Sequence, residues 1–409
     1  MGVLEIMNMR KRVEYVGLFV LLMGIGLSLT SFDTMEACTT AIIGPKASVS
    51  GAPMLWKNRD TGYLSNKVIF VDESPYDYLG LVNARETSGR FVYAGLNETG
   101  FGIMNSVAYN LPKKSTEMQD LEGVIMAEAL RTCRTVDDFE VFLKENLGEN
   151  LGSWANFGVI DSQGQAVIFE VHNHGYHKLD AAAAQKFYLI NANFSRSGEE
   201  GTGAGYLRFD RATQLFDGFK PGKVAHDRIL QEISRDFGHT LLDHPPLDQL
   251  EKFSDDKPVW LLTRDTLNRN STSAAVVIIG KEPGDKKSRA CMWVTLGEPL
   301  SSIALPFWVE AGVVPDALHK GETAPICKEA TRIKKIFRPY HEPDKKNYVR
   351  LTRLDNKKGT GFLPSLKKTE REILKATRKF AKKHRSPKEL ARFQQKMADK
   401  ALAALRKIK

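Results

Sequence analysis

One cysteine stands where an apolar leader ends and the first strand-like segment begins. Cys38 follows Ala37, and removal of the preceding residues would place a thiol and a free α-amine on one residue. An α-amine titrates near about pH 8, so it can accept a proton at neutral pH. It also lies within reach of its own side chain. Cys38 is therefore predicted to be a nucleophile whose base is its own amine, with no histidine required.

A cluster of charged residues ends the second strand-like segment, MLWKNRD, which carries Lys57, Arg59 and Asp60. A carboxylate beside the nucleophile would orient the thiol and the ammonium, and a nearby cation would lower the pKa of the thiol. Asp60 and Lys57 are the candidates for these two roles. Strand alternation predicts that Lys57 and Arg59 point to one face and Asp60 to the other, unless the turn begins at Asp60.

The first 37 residues have the layout of a secretory signal. Three basic residues at positions 10–12 precede an apolar run at 16–29, and small and polar residues follow up to Ala37. This run has 14 residues, fewer than the roughly 20 that a membrane-spanning helix needs. The protein is therefore predicted to be exported to the bacterial periplasm or secreted, with no integral membrane segment after the signal is removed.

The residues before Cys38 leave a second interpretation open. Met35-Glu36-Ala37-Cys38 loosely resembles the site at which bacterial lipoproteins are cleaved and lipidated on the cysteine. Such a site would have a branched aliphatic residue in place of Met35 and a small residue in place of Glu36. Lipidation would block both the sulfur and the amine. A non-enzymatic surface lipoprotein or binding module is therefore the alternative that excludes catalysis by Cys38.

The remaining cysteines and the histidines do not predict a metal or redox site. Four cysteines in 409 residues are too few for a disulfide framework, and no pair has CxxC spacing. Three histidines alternate along one segment, as they would at the polar edge of a strand: His172, His174 and His177. No metal and no cofactor is therefore predicted.

The positive charge is concentrated near the end of the chain. The formal net charge is +10, and residues 341–409 contain 22 Lys and Arg against 7 Asp and Glu. Because the rest of the chain is slightly acidic, nucleic acid is not predicted as a partner. Residues 336–409 are predicted to form a basic helical extension that contacts the body or, as a homo-oligomer, a second copy. Its apolar positions include Ile373, Phe380, Leu390, Phe393, Met397 and Leu405.

Strand-like and helical segments alternate between the leader and this extension. Short β-branched and aromatic runs occupy 38–97, and two segments at 121–133 and 136–147 have the three- and four-residue apolar spacing of helices. Further strands, a helical block near 206–237 and three more strands follow. This order predicts an α+β domain over residues 38–335, with two packed sheets between helical layers.

Several segments together carry a family resemblance. They are Cys38-Thr39-Thr40, Lys57-Asn58-Arg59-Asp60, GLNETGFG at 95–102, residues 190–194, Arg-Phe-x-Arg at 208–211, Asn270-Ser271-Thr272, and residues 293–306. In combination they resemble the acyl-coenzyme A:6-aminopenicillanic acid acyltransferase family, which belongs with the choloylglycine (bile salt) hydrolases and penicillin V acylases. The resemblance covers roughly residues 38–310.

This resemblance implies a four-layer αββα sandwich of the N-terminal-nucleophile (Ntn) hydrolase type. It implies hydrolysis of a linear amide in a small-molecule substrate through an acyl-enzyme on Cys38, with acyl transfer to another amine as the alternative. The implied supporting residues are Asp60 at the amine and thiol, Asn193 in the oxyanion hole with Asn191 as the nearest alternative, Arg208 near the nucleophile, and Asn105 as a second oxyanion contributor.

Two positions depart from the family pattern. The hydrolases and acylases usually carry an arginine three residues before the aspartate, where this chain has Lys57. An ammonium group cannot reproduce the bidentate fork of a guanidinium. The bile salt hydrolases also place an asparagine ten residues after the Asn of their Asn-Glu-x-Gly motif, and counting from Asn97 gives Val107. The sequence therefore does not predict bile-salt specificity.

Overall fold

Two antiparallel sheets form the centre of the fold. The computed structural model describes residues 37–86, 88–112 and 119–409. The predicted signal therefore lies outside the described residues, apart from Ala37.

The first sheet has six strands in the order β10-β1-β2-β12-β13-β14. Their bounds are β1 Thr39–Ile43, β2 Met54–Asp60, β10 Tyr188–Asn191, β12 Thr272–Ile279, β13 Cys291–Leu296 and β14 Leu305–Phe307. Most of these segments are rich in β-branched or aromatic residues, as the sequence pattern predicts, whereas β2 contains only Trp56 of these types. The strand β2 continues through its charged end, because Lys57, Arg59 and Asp60 are all buried and hydrogen-bonded.

The second sheet has seven strands in sequential order. They are β3 Asn66–Val71, β4 Tyr78–Asn83, β5 Ala94–Asn97, β6 Gly102–Val107, β7 Trp154–Ile160, β8 Ala166–His172 and β9 Gly175–Asp180. The pair β7–β8 forms a hairpin, with Ile160 opposite Ala166. A separate pair joins β11 Trp260–Leu262 to β15 Tyr348–Arg350.

The two sheets pack face to face with close backbone approach. Gly158 on β7 shows this, because a Cβ placed there would lie 2.7 Å from Met104 Cε and 3.5 Å from Leu55 Cδ2. Gly102 on β6 shows it again, because its added Cβ would lie 3.2 Å from Ile278 Cγ2 of the six-stranded sheet. Side chains from both sheets therefore share one apolar layer, as expected for stacked sheets.

Helices cover the outer faces of both sheets. On the seven-stranded sheet lie α1 Glu122–Thr132 and α2 Val136–Asn146, whose apolar side chains join the outward residues of β6, β7 and β8 in a second core. Thr135 caps α2, because its hydroxyl accepts a hydrogen bond from Asp138 N over 3.0 Å. The predicted α+β class, with two packed antiparallel sheets and helical layers, is confirmed.

The other helices belong to the core that contains the six-stranded sheet. They are α3 Tyr206–Asp217, α4 His226–Gln231, α5 Asp316–His319, α6 Pro325–Phe337, α7 Leu351–Leu354, α8 Leu363–Ala381 and α9 Pro387–Arg406. No helix among the described residues is long and apolar enough to cross a membrane.

The basic extension packs its apolar face against the body. Phe380 on α8 and Phe393 on α9 stack with ring centroids 4.0 Å apart, and both contact Trp308. Glu370 on α8 is fully buried and forms an ion pair with Arg235 at 2.8 Å. Residues 336–409 are therefore part of the same hydrophobic core as the six-stranded sheet.

Candidate functional site

Cys38 lies immediately before β1 and is 1% exposed. Thr39 pairs with Asn58 on β2, and Ala37 N donates to Asp60 O over 3.1 Å. These contacts place Cys38 opposite Arg59 at the end of the sheet. Because the neighbouring strands are antiparallel, the starts of β1 and β12 lie beside the ends of β2 and β10. The polar residues of four strand ends therefore meet around Cys38.

Arg208 on α3 connects the segment that contains Cys38 to Asn193, which lies just beyond the neighbouring strand β10. Its Nη1 donates to Cys38 O and to Thr39 Oγ1, each over 2.7 Å, and its Nη2 donates to Asn193 Oδ1 over 2.7 Å. Gly205 makes room for this guanidinium, because a Cβ there would lie 2.3 Å from Nη2. The planar fork reaches three acceptors from two separate nitrogens, a geometry that the single nitrogen of an ammonium cannot reproduce.

Asn193, not Asn191, is the asparagine held by Arg208. Asn193 is fully buried just beyond β10, and its Nδ2 donates to Val107 O over 2.9 Å. Asn191 instead accepts a hydrogen bond from Arg196. The amide of Asn193 is therefore fixed in orientation by a donor on its oxygen and an acceptor on its nitrogen.

Asp60 is fully buried and receives hydrogen bonds on both carboxylate oxygens. Thr272 Oγ1 donates to Oδ1 over 2.5 Å, and Arg269 Nε donates to Oδ2 over 2.9 Å. Arg269 also donates from Nη2 to Ala37 O over 2.6 Å. Asp60 is therefore connected to the peptide bond before Cys38 through Arg269, a residue that the sequence analysis did not select.

Lys57 and Asn105 form a separate contact on the inner face of β2. Lys57 Nζ donates to Asn105 Oδ1 over 2.7 Å and to Tyr93 O over 2.8 Å. Arg59 lies over the same tyrosine, with its guanidinium carbon 3.6 Å from the ring centroid. Lys57 and Arg59 thus share one face and Asp60 lies on the other. The amide oxygen of Asn105 is committed to the lysine.

The concentration of charge at the site affects Arg208. Burial, followed by the positive charge of Arg269, lowers the pKa of the Arg208 guanidinium to about 9, while Asp60 and Cys38 oppose this shift. The guanidinium still carries its charge at neutral pH. Arg208, Arg269 and Asp60 therefore influence one another and the nucleophile electrostatically.

The other sequence candidates lie away from this cluster. His172, at the end of β8, belongs with His174 and His177 to the hairpin at the far edge of the seven-stranded sheet. Among the described residues, no group of three His, Cys, Asp or Glu side chains is arranged to hold a metal ion. Burial raises the pKa of the Cys133 thiol to about 12, and it raises the pKa of the Cys291 and Cys327 thiols. These three thiols are poor nucleophiles.

Comparisons with protein-family models and with curated proteins give no match. Among solved structures, the chain is similar to a mutant conjugated bile acid hydrolase from Clostridium perfringens, with 13% identity and a TM-score of 0.39 over 67% of this chain and 92% of that chain. It is also similar to a Caenorhabditis elegans N-acylethanolamine-hydrolyzing acid amidase ortholog, with 14% identity and a TM-score of 0.35 over 61% of this chain and 95% of that chain.

A third solved structure is penicillin V acylase from Agrobacterium tumefaciens, with 14% identity and a TM-score of 0.35 over 66% of this chain and 86% of that chain. Identity is low in all three comparisons.

Proposed function

We propose that this protein is a cysteine amidohydrolase in which Cys38, as the first residue of the mature chain, cleaves a linear amide bond. The observation that carries the proposal is the hydrogen-bonding of Arg208 to both the Cys38 main chain and Asn193. A buried guanidinium with three committed hydrogen bonds fixes a nucleophile and an amide side chain relative to each other. Such fixed geometry is what a reaction at a carbonyl group requires.

In the first half of the reaction, the thiol of Cys38 gives its proton to the α-amine and the sulfur attacks the substrate carbonyl carbon. The carbonyl oxygen becomes an oxyanion, and the neutral amide of Asn193 supports it without offering an acidic proton. Collapse of the tetrahedral intermediate breaks the C–N bond. The leaving amine takes a proton from the ammonium, and the acyl group remains on sulfur as a thioester.

In the second half, water attacks the thioester while the α-amine accepts a proton from the water. The C–S bond then breaks, the acid leaves and the thiol of Cys38 is restored. If an amine attacked in place of water, the same intermediate would give acyl transfer. Hydrolysis and transfer therefore share every step up to the thioester, and they differ only in the second nucleophile.

The test begins with the N-terminus of the protein recovered from an exporting host. Intact-mass and N-terminal analysis should give Cys38 as the first residue, with an unmodified amine. A lipidated cysteine, detected by incorporation of radioactive palmitate, would replace this proposal with the surface lipoprotein. An intact leader would also refute the mechanism.

Activity is then measured by amine release from a panel of conjugated bile acids, phenoxyacetyl amides, N-acyl amino acids and small peptide-like amides. Cys38→Ser should abolish release, whereas Cys133→Ser should retain it, because Cys133 lies in the separate core beneath α1 and α2. Addition of a competing amine separates hydrolysis from acyl transfer. Equal activity of the two serine variants would contradict the proposed role of Cys38.

A further inference from the structure

Arg269 occupies a position between Asp60 and the peptide bond that precedes Cys38. Its Nη2 lies 2.6 Å from Ala37 O, and its Nε lies 2.9 Å from Asp60 Oδ2. The third nitrogen, Nη1, donates to Arg264 O over 3.2 Å. All three guanidinium nitrogens therefore have acceptors, and the side chain is only 12% exposed.

The loop that carries Arg269 is held firmly on both sides. Asn268 Nδ2 donates to the buried Glu298 over 2.6 Å, and Asn268 N donates to Asp236 O over 2.8 Å. On the other side, Lys334 of α6 donates from Nζ to Asn270 O. The position of the guanidinium is therefore set by the loop and does not depend on the Ala37 carbonyl alone.

We propose that Arg269 is a positioning residue that keeps the α-amine of Cys38 neutral, and so able to accept the thiol proton, once the leader has been removed. The inference rests on the proposed function, because only the mature chain has this amine. The nitrogen of Cys38 is bonded to the carbonyl carbon whose oxygen Arg269 holds. Cleavage would therefore expose the amine directly beside the guanidinium.

The effect follows from the signs of the neighbouring charges. A positive charge beside an amine disfavours the ammonium form, whereas the carboxylate of Asp60 favours it. Because Arg269 forms an ion pair with Asp60, the guanidinium offsets the effect of the carboxylate, and burial of Cys38 together with the second cation, Arg208, then favours the neutral amine. Without the guanidinium, the buried Asp60 would act alone, and the amine would hold its proton at neutral pH.

Other charged groups surround this position and also affect the protonation of the Cys38 α-amine. Arg208 of α3 contacts the Cys38 carbonyl and adds a second cation. Lys57 and Arg59 lie on β2, the strand paired with the segment that carries Cys38. The charge of Asp265 acts on Arg208, and that of Asp60 acts on Lys334. Of these groups, Arg269 is the cation that directly contacts both Asp60 and the peptide bond before Cys38.

The test uses the mature protein from the full-length gene, with cysteine labelled with ¹³C and ¹⁵N, so that the NMR signal of the Cys38 Cα reports titration of the α-amine. The titration is followed against pH for the wild type, Arg269→Gln, Arg269→Lys and Arg264→Gln. Arg264 is an exposed arginine in the same loop and serves as the matched control. This readout needs no substrate, so it is independent of the amide panel.

Loss of the guanidinium charge in Arg269→Gln should raise the pH midpoint of the amine titration by about one unit, a tenfold change in proton affinity. Arg269→Lys retains the charge and should stay near the wild type, as should Arg264→Gln. Asp60→Asn should lower the midpoint, because it removes the charge that favours the ammonium. If Arg269→Gln does not fold, Asp60→Asn tests the proposed charge balance in its place.

An unchanged midpoint in a folded Arg269→Gln that begins with Cys38 would overturn the inference and leave the proposed function standing. Equal shifts in Arg269→Gln and Arg269→Lys would also overturn it, because the charge would then be irrelevant. An unmoved or raised midpoint in Asp60→Asn would contradict the charge balance. If the wild-type chain does not begin with Cys38, both the proposed function and this inference fail.

Discussion

Replacement of Arg208 by lysine separates the charge at the site from the geometry of the hydrogen bonds. The guanidinium makes three hydrogen bonds of 2.7 Å, to Cys38 O, Thr39 Oγ1 and Asn193 Oδ1. A lysine ammonium is a single point, so it cannot reach acceptors that the fork approaches from two nitrogens. We expect Arg208→Lys to fold but to lose the coupling between Cys38 and Asn193.

The expected magnitude follows from the number of lost contacts. A hydrogen bond to a charged group contributes about 1.5–3 kcal/mol. Loss of the Asn193 bond alone would therefore lower the free energy of unfolding by about 1.5–3 kcal/mol, and loss of two bonds by about 3–6 kcal/mol. In catalysis, removal of one oxyanion-hole donor costs about 100- to 1000-fold. A misplaced Asn193 should accordingly lower kcat/KM about 100-fold.

The assay compares Arg208→Lys with Arg211→Lys, which changes the same residue type one turn along the same helix. Arg211 forms a 2.7 Å ion pair with Asp236 instead of the hydrogen bonds that Arg208 makes to Cys38 and Asn193, so its replacement should lower kcat/KM much less than Arg208→Lys. Urea unfolding and amine release are measured on both variants. Near wild-type kcat/KM in Arg208→Lys, or equal losses in the two variants, would refute the reasoning.

Three further predictions concern stability. Glu370→Gln should lower the free energy of unfolding by about 3–5 kcal/mol in urea, because it leaves the buried Arg235 without its counter-charge; a small effect would contradict a structural ion pair. Deletion of residues 341–409 should give an unfolded or aggregated protein by circular dichroism and light scattering, since α8 and α9 lie in the core; an unchanged melting temperature would refute this. The hydrogen bond from Lys178 lowers the pKa of Glu140 from 4.5 to about 2, so its stabilisation is present above pH 4.5 and is lost as the pH falls towards 2. The wild type should therefore lose more melting temperature than Glu140→Gln across that window, and parallel curves would contradict it.

Local patterning was enough to predict most of the strands and helices. The β-branched runs at 39–43 and 272–279 form strands of one sheet, because such residues pack well on a pleated surface. The apolar spacing of 122–132 and 136–146 gives helices, because side chains three and four residues apart share a face. Both patterns act over a few residues, so they are visible in the sequence alone.

The role of the basic extension was less visible. Its composition suggested an appended element, but the stacked Phe380 and Phe393 and the buried Glu370 tie it to the six-stranded sheet. The charged residues occupy the outer faces of α8 and α9, and the buried positions are mainly apolar. Average composition hides this division, because it does not record which face of a helix each residue occupies.

The chemical candidates could be identified from local features, namely Cys38 after an apolar leader and a carboxylate at the end of β2. Their partners could not, because they come from distant parts of the chain. Arg208 meets Cys38 across 170 positions of the chain, and Arg269 meets Asp60 across 209. No local pattern marks Arg269, although it directly precedes the Asn270-Ser271-Thr272 segment. The antiparallel order of four strands and the fixed loop before β12 bring these charges together, and such long-range placement depends on packing rather than on residue spacing.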